Sequence, residues 1–527
     1  MSLYLGFDSS TQSLTATVIE VSTKVRRVVY QHALVFDTDL PQYRTTNGVR
    51  RHEDPLVVTS PPLMWVEALD TMMRTVATHR EIDISRIVAI AGCAQQHGTV
   101  YLHASAARAI EGLDPSRGLA DQLRTIFSRQ ESPVWMDEST GRQCAAIAAA
   151  LGGDDAVARL TGSRPFARFA GPQIRKFAED EPADYAATDR IHLVSSFMAS
   201  LLLGAEAPID PGDGAGMNLM DIRTLRWNRR ALDATAPDLE DRLPPIREPK
   251  DSIGVLGRYW QQRYGFPAAL LIPWTGDNPS SLIGAGLVDE GDVGISLGTS
   301  DTVFGPVARP PENPGGANVF GSPAGGYMLL VCFRNGSLAR EHIRDQYRMD
   351  WSAFSRALAS TPPANRGAIM LPWVEAEITP TVINAGVRRL GVPVDDGPGN
   401  VRALVEGQMM AMANHWAELA TRPVGRIRAT GGASQNREIL HVMADVFGAD
   451  VYPAASTNGA SLGAALRAYQ AHQSLTAPVS WPDVVAGFTD EVASPIRANP
   501  QNVEAYEKLR KRYADAERRA VLGSAQL

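Results

Sequence analysis

Residues 4–21, YLGFDSSTQSLTATVIEV, decide the fold. YLGF at 4–7 and LTATVIEV at 14–21 are short apolar runs rich in β-branched residues, and the polar DSSTQS between them completes the pattern of a β-hairpin. Asp8 stands where the first strand ends. The second half of the chain repeats the device: DVGISLG at 292–298 reads as a strand, TSD as a tight polar turn and TVFG as the return strand. Two hairpin turns of phosphate size, one per half, read as an internal duplication, although glycine and serine are common enough in turns for such repeats to arise independently.

Outward from the first hairpin, residues 60–79 place Leu63, Val66, Leu69, Met73 and Val76 at helical spacing behind Ser60 as cap and two prolines. RIVAIAGCA at 86–94 follows as a buried strand and then the polar QQHG, so strand, helix and strand alternate as in α/β packing. RIRAT at 426–430 is a further strand, GGASQ its exit turn, and NREILHVMADVFG a helix with Ile439, Met443, Val446 and Phe447 on one face, ended by Gly448. The small-residue helix GASLGAALRAYQA at 459–471 is expected to pack closely against that unit. The last helix, 505–521, keeps Tyr506, Leu509, Tyr513 and Ala516 on one stripe and reads as a surface helix. A Pro/Gly-punctuated stretch at 246–257 sets a hinge near residue 251. The expected domains are thus 1–251, with the first phosphate turn, and 252–527, with the last helix available to pack back on the first domain.

Composition limits the function classes. At 527 residues the chain calls for at least two domains, and 44% hydrophobic against 21% charged residues is a globular balance. A formal net charge of −7 supplies no cationic field for nucleic acid. Cys93, Cys144 and Cys332 are widely spaced and form no CxxC pair, which argues against a disulfide scaffold or zinc site and for a reducing compartment. The N-terminus lacks an export pattern and no apolar run approaches the ~20 residues of a membrane span. A cytoplasmic protein with no membrane or nucleic-acid partner is the expectation.

Neither GxxxxGK[ST] nor a complete GxGxxG occurs, so phosphate must be held by some other device. Turns rich in Gly, Ser and Thr expose consecutive backbone N–H groups, and Asp8-Ser9-Ser10-Thr11 and Gly298-Thr299-Ser300 are the candidates, with ordinary hairpin loops as the alternative. Asp8 suits Mg²⁺ beside phosphate, or a turn-stabilising role. Asp277, in IPWTGDNPSS, ends an apolar run before a small-residue helix; it is placed to take a proton from an attacking hydroxyl, or simply to cap the helix. His97 and Arg168 are suited to hydrogen-bonding a polyol, and each is equally open to a structural role.

Taken in order, LGFDSSTQS, GCAQQHG, VWMDEST, DPGDGAGMNL, WTGDNPSS, ISLGTSDT and ATGGASQN resemble the family of carbohydrate kinases that includes glycerol kinase, gluconokinase and xylulose kinase. TSPPLMWVEALD, TGSRPFARF, LVSSFMASLLLG, NGSLAREHIRD and GGASQNREIL extend the resemblance over nearly the whole chain and liken it to the animal branch of the xylulose kinases. The resemblance implies an α/β fold of two ribonuclease-H-like, actin- and hexokinase-like domains with ATP and sugar in a cleft between them. It implies Asp277 as general base and sugar ligand, with His97, Arg168 and Asn278 also holding a ketopentose, D-xylulose. Asp8 would organise Mg²⁺ and phosphates together with the Ser10–Thr11 turn, and the nucleotide would lie on Thr299, Gly431, Gly432, Asn436 and Trp351. Two departures, Ser139 where many relatives carry Arg and Gln96 where many bacterial xylulose kinases carry Met, again resemble the animal branch. A kinase of another ketose or polyol such as ribulose, and an actin-like ATPase or sugar-binding protein without phosphotransfer, are the other readings. The oligomeric state stays open, with a homodimer as one option.

Overall fold

The computed structural model describes residues 2–248, 250–453, 459–490 and 494–524. By their contacts they form two compact units. The first is Met1–Gly286 with Val319–Met328 and Asn458–Asp490; the second is Leu287–Asn318 with Leu329–Thr457 and Glu491–Leu527. The boundary therefore falls after Gly286, not near residue 251, because the short strands Gly254–Val255 and Leu270–Leu271 join the sheet of the first unit.

In the first unit β1 (Ser2–Ser9), β2 (Ser13–Val21) and β3 (Arg26–Val35) form an antiparallel meander. The outer strand β3 is largely exposed and carries Arg26, Arg27 and His32, charges and polar groups that discourage edge-to-edge pairing. α1 (Pro62–Thr78) crosses over to β4 (Ile87–Ala94), which lies parallel to β1, and Leu270–Leu271 lies parallel to β4. Leu69, Met72, Met73 and Val76 of α1 are fully buried, each stabilising the unit by about 1.5–3 kcal/mol. Ser60 does not cap this helix: its hydroxyl donates to Gly48 O at 2.8 Å, and the helix starts at Pro62, where a missing N–H costs nothing. α2 (Val194–Leu203) is buried except at its last residue, and α3 (Asp277–Gly284) follows the short strand Thr275–Gly276 beside β4.

The helix Gly459–Ser474 belongs to this first unit. It packs on β1, β4 and α3 rather than on the 426–448 segment, with Ser280 Oγ donating to Ala460 O at 2.8 Å and Thr17 and Ser461 hydroxyls 2.8 Å apart. Its buried Arg467 donates to Gly92 O at 3.1 Å and Pro273 O at 2.7 Å, tying strand ends together.

The second unit repeats the arrangement. β5 (Asp292–Leu297) and β6 (Asp301–Val307) are an antiparallel hairpin, and β7 (Tyr327–Phe333) lies beyond β6. After α4 (Ser337–Gln346), α5 (Trp351–Ser360) and the long buried α6 (Gly397–Leu419), β8 (Arg426–Thr430) pairs parallel to β5. α7 (Arg437–Phe447) then leads to β9 (Asp450–Pro453), parallel to β8. Apart from the short strands Gly254–Val255, Thr275–Gly276 and Asn318–Gly321, the strands of each sheet, numbered by appearance, lie in the order third, second, first, fourth, fifth, as a duplication would have it. α8 (Pro500–Ser524) packs within this second unit against α6 and α7 and is no mere surface helix. Tyr506 explains why: its buried hydroxyl donates to Glu406 at 2.5 Å and accepts from Arg402 at 2.6 Å, a network a surface helix would not contain.

Candidate active site

In the first unit the functional residues gather where strands end. Asp8 pairs in register with Thr15 on β2 and Cys93 on β4, so its carboxylate sits at the sheet's C-terminal edge with the Cys93 thiol donating at 3.5 Å. The turn beyond it is internally braced. Ser10 Oγ donates to Ser13 O at 3.0 Å, Thr11 Oγ1 donates to Gln95 Oε1 at 3.3 Å, and the Trp135 indole donates to Thr11 Oγ1 at 2.8 Å.

Asp277 opens α3, where the helix dipole favours an anion, and accepts the Asn278 N–H at 2.8 Å. Burial pushes its carboxyl up to about 6, against the opposing pull of backbone N–H groups from Asn278 and Gln96. Asp8 is pushed up to about 7, first by burial and then by the neighbouring charge of Asp277. Among the described residues no lysine or arginine forms an ion pair with either carboxylate. Beneath them Asp213 is wholly buried and accepts Ser195 Oγ at 2.5 Å; burial, followed by Asp277 and Asp210, raises its carboxyl well above the usual range.

His97 has φ of 74° and is stacked on Phe169 at a ring separation of 4.4 Å. Its Nδ1 lies 2.9 Å from Gly216 O. A carbonyl only accepts, so Nδ1 carries the proton and Nε2 keeps a lone pair. Burial, and then the Arg168 charge, lowers its pKa to about 3, so the ring is neutral. Gly216 is required here: a Cβ would meet the His97 ring at 2.8 Å. Arg168 is partly exposed, with its guanidinium 4.6 Å from the centre of the Phe166 ring.

In the second unit a cavity of about 690 Å³ opens beside the β5–β6 turn, lined by Gly298, Thr299, Trp351, Ser355, Gly432 and Asn436 among others. Gly431 (φ 87°) turns the chain out of β8, and a Cβ there would lie 2.4 Å from Leu297 O. Asn436 caps α7 through Glu438 N and Ile439 N and donates to Ser355 Oγ at 2.8 Å. Trp351 is 44% exposed, with the Arg344 guanidinium 4.5 Å from its ring centre. Behind the turn, buried Arg340 grips Asp301 through two bonds of 2.7 and 2.9 Å.

The structure thus groups Asp8, Ser10, Thr11, His97, Arg168, Asp277 and Asn278 in one unit, and lines the cavity of the other with Thr299, Trp351, Gly432 and Asn436. Gly431 shapes the exit turn next to that cavity. Sequence reasoning missed Arg340 and Asp213 and met Gln96 only as a departure from many bacterial relatives; the part each plays comes from burial, and only the placement of Arg340 in the first turn of a helix hinted at it.

Two ribonuclease-H-like units, each with a hairpin turn at the mouth of its sheet, define a phosphotransferase of the actin- and hexokinase-like class. Residues 130–284 match the N-terminal domain, and residues 293–472 the C-terminal domain, of the FGGY family of carbohydrate kinases. The chain is 42% identical to xylulose kinase of Rattus norvegicus over 98% of its own length and 96% of the relative's. Among solved structures, gluconate kinase from Lactobacillus acidophilus superposes with a TM-score of 0.78 at 18% identity, covering 100% of this chain and 99% of that one. A ligand-bound xylulose kinase from the same organism gives 0.77 at 17%, covering 100% of both. These two are equally similar, so backbone shape alone does not select the sugar. The chain belongs to the FGGY family of carbohydrate kinases and is a carbohydrate kinase.

Proposed function

We propose that this protein transfers the terminal phosphoryl group of ATP to D-xylulose, giving D-xylulose 5-phosphate and ADP. The observation that carries the proposal is the carboxylate of Asp277: partly exposed, free of any cationic partner among the described residues, and hydrogen-bonded to Asn278 and to the backbone of Gln96, the residue before His97. The full-length similarity to the rat xylulose kinase supports the choice of sugar.

In this reading Asp277 accepts the proton of the terminal hydroxyl as that oxygen attacks, and also holds the sugar with His97, Arg168 and Asn278. A carboxyl near 6 is ionised at neutral pH yet basic enough to accept a proton. Thr299, Gly431, Gly432, Asn436 and Trp351 hold the nucleotide, and Ser10 and Thr11 meet its phosphates. Asp8 fits Mg²⁺: it is a recessed carboxylate with a like charge beside it and no cation to offset either, and Mg²⁺ takes one or two carboxylates together with substrate phosphates. When bound, the metal would neutralise charge on the transferring phosphate. Positioning can supply about 7–11 kcal/mol of the barrier, and a base a further factor of about 10²–10⁴. We place the reaction in the cytosol.

A sugar panel in a coupled ADP-release assay tests this. D-xylulose should support the fastest release, ahead of D-ribulose, glycerol and gluconate. A different preferred sugar would reassign the substrate, and ATP hydrolysis indifferent to any sugar would favour an ATPase.

A further inference from the structure

The segment Pro211–Met217 contacts the sugar-site residues through two backbone carbonyls, and neither can do anything but accept a hydrogen bond. Gly216 O faces His97 Nδ1 at 2.9 Å, which leaves Nε2 as an acceptor. Gly212 O faces the side chain of Gln96 at 3.1 Å, so the group of Gln96 turned toward it must be the NH₂. Its carbonyl Oε1 therefore points the other way, 2.8 Å from the Asn278 carboxamide, and the Asn278 atom there must be Nδ2. The same Nδ2 lies 3.1 Å from Asp277 Oδ1, a second acceptor that agrees with the assignment. Asn278 is itself exposed, and what it has left to present is Oδ1.

We infer that buried Gln96 is a positioning residue that relays the polarity of the Gly212 carbonyl to Asn278, so that Asn278 and His97 both meet the sugar as acceptors and demand hydroxyl donors. This rests on the sugar site proposed above and adds to it a rule of selection. A carbonyl oxygen of the substrate cannot sit on either group; among the four proposed sugar ligands Arg168 is the one whose side chain only donates, so the ketone of a ketose belongs there. Gln96 touches no substrate in this account. Its amide only sets which end of Asn278 faces outward, and an apolar residue at the same place would leave that end held by Asp277 alone.

The test is calorimetric binding of D-xylulose and of its monodeoxy-fluoro derivatives, without nucleotide, to the full chain and to Gln96→Met. Fluorine accepts weakly and cannot donate, so replacing a hydroxyl that must donate sets acceptor against acceptor. In the wild-type protein three of the derivatives, those altered at the hydroxyls that face Asp277, Asn278 and His97, should bind at least about tenfold more weakly than D-xylulose. In Q96M, checked for folding by its melting curve, one of these penalties should shrink by about threefold or more, because Asn278 can now turn its NH₂ to the fluorine. The other two, at Asp277 and at His97 where Gly216 sets the acceptor, should stay. A purely structural role for Gln96 would move all the penalties together or none, and either result overturns the relay. Should Q96M fail to fold, the wild-type panel still decides: fewer than three penalised positions contradicts the rule. Binding of D-xylulose without its phosphorylation would sink the proposed reaction while leaving the relay standing, and absence of binding would sink both.

Discussion

The two hairpin turns share a topology and differ in charge. In the first unit the turn begins with Asp8, whose carboxylate has, among the described residues, only a thiol for a hydrogen-bond donor and a like charge for a neighbour. In the second unit the turn ends with Asp301, buried and clasped on both oxygens by Arg340. One fold element thus occurs twice, once with its carboxylate unpaired among the described residues and once with its charge cancelled. The cancelled copy borders the 690 Å³ cavity, where a neutral, rigid turn suits a polyphosphate better than a free carboxylate would. The uncancelled copy keeps a carboxylate that a bound cation could use.

Removing the cancellation should have the largest effect on stability. Arg340→Met would leave Asp301 buried and unpaired, costing about 3–5 kcal/mol, read as a lower denaturation midpoint; an unchanged midpoint would mean the pair is not what holds the turn. Trp351→Ala sharpens the cavity side of the contrast. Losing a stacking platform should raise the KM for ATP about tenfold with kcat little altered, and an unaltered KM would take Trp351 out of the nucleotide site. The smallest effect concerns pH. Asp277 must be ionised to accept a proton, and its carboxyl is pushed up to about 6, so with Mg²⁺ saturating, which would keep Asp8 ionised, kcat/KM for the sugar should hold near neutrality. It should then fall about tenfold for each pH unit below that value. A profile flat to pH 4 would deny the group its role.

Much of this was legible in the sequence, for physical reasons. Both hairpins and the strand, glycine turn, helix run from 426 to 448 announce themselves because short apolar runs are bounded by residues that can only turn. The positions of Asp8 and Asp277 at strand ends followed from the same punctuation. What stayed hidden depends on contacts distant in sequence. The helix Gly459–Ser474 carries small residues that pack closely against any backbone, so its periodicity could not say that it lies on β1 and β4. The division of the chain was missed for the same reason: the first unit reclaims 319–328 and 458–490, segments that no local composition marks. Ser60 looked like a cap, but the nearby Gly48 carbonyl took its hydroxyl. Arg340 and Gln96 read as ordinary polar residues until burial showed that each has a fixed partner.

The central claim is that the Asp277 carboxylate, left unpaired in the first unit, strips the proton from a sugar hydroxyl. Asp277→Asn tests it most directly, with D-xylulose affinity measured by calorimetry and turnover by ADP release on the same preparation. We expect affinity within a few-fold of wild type and kcat lower by about 10²–10⁴. Near-normal kcat in that variant would contradict the account.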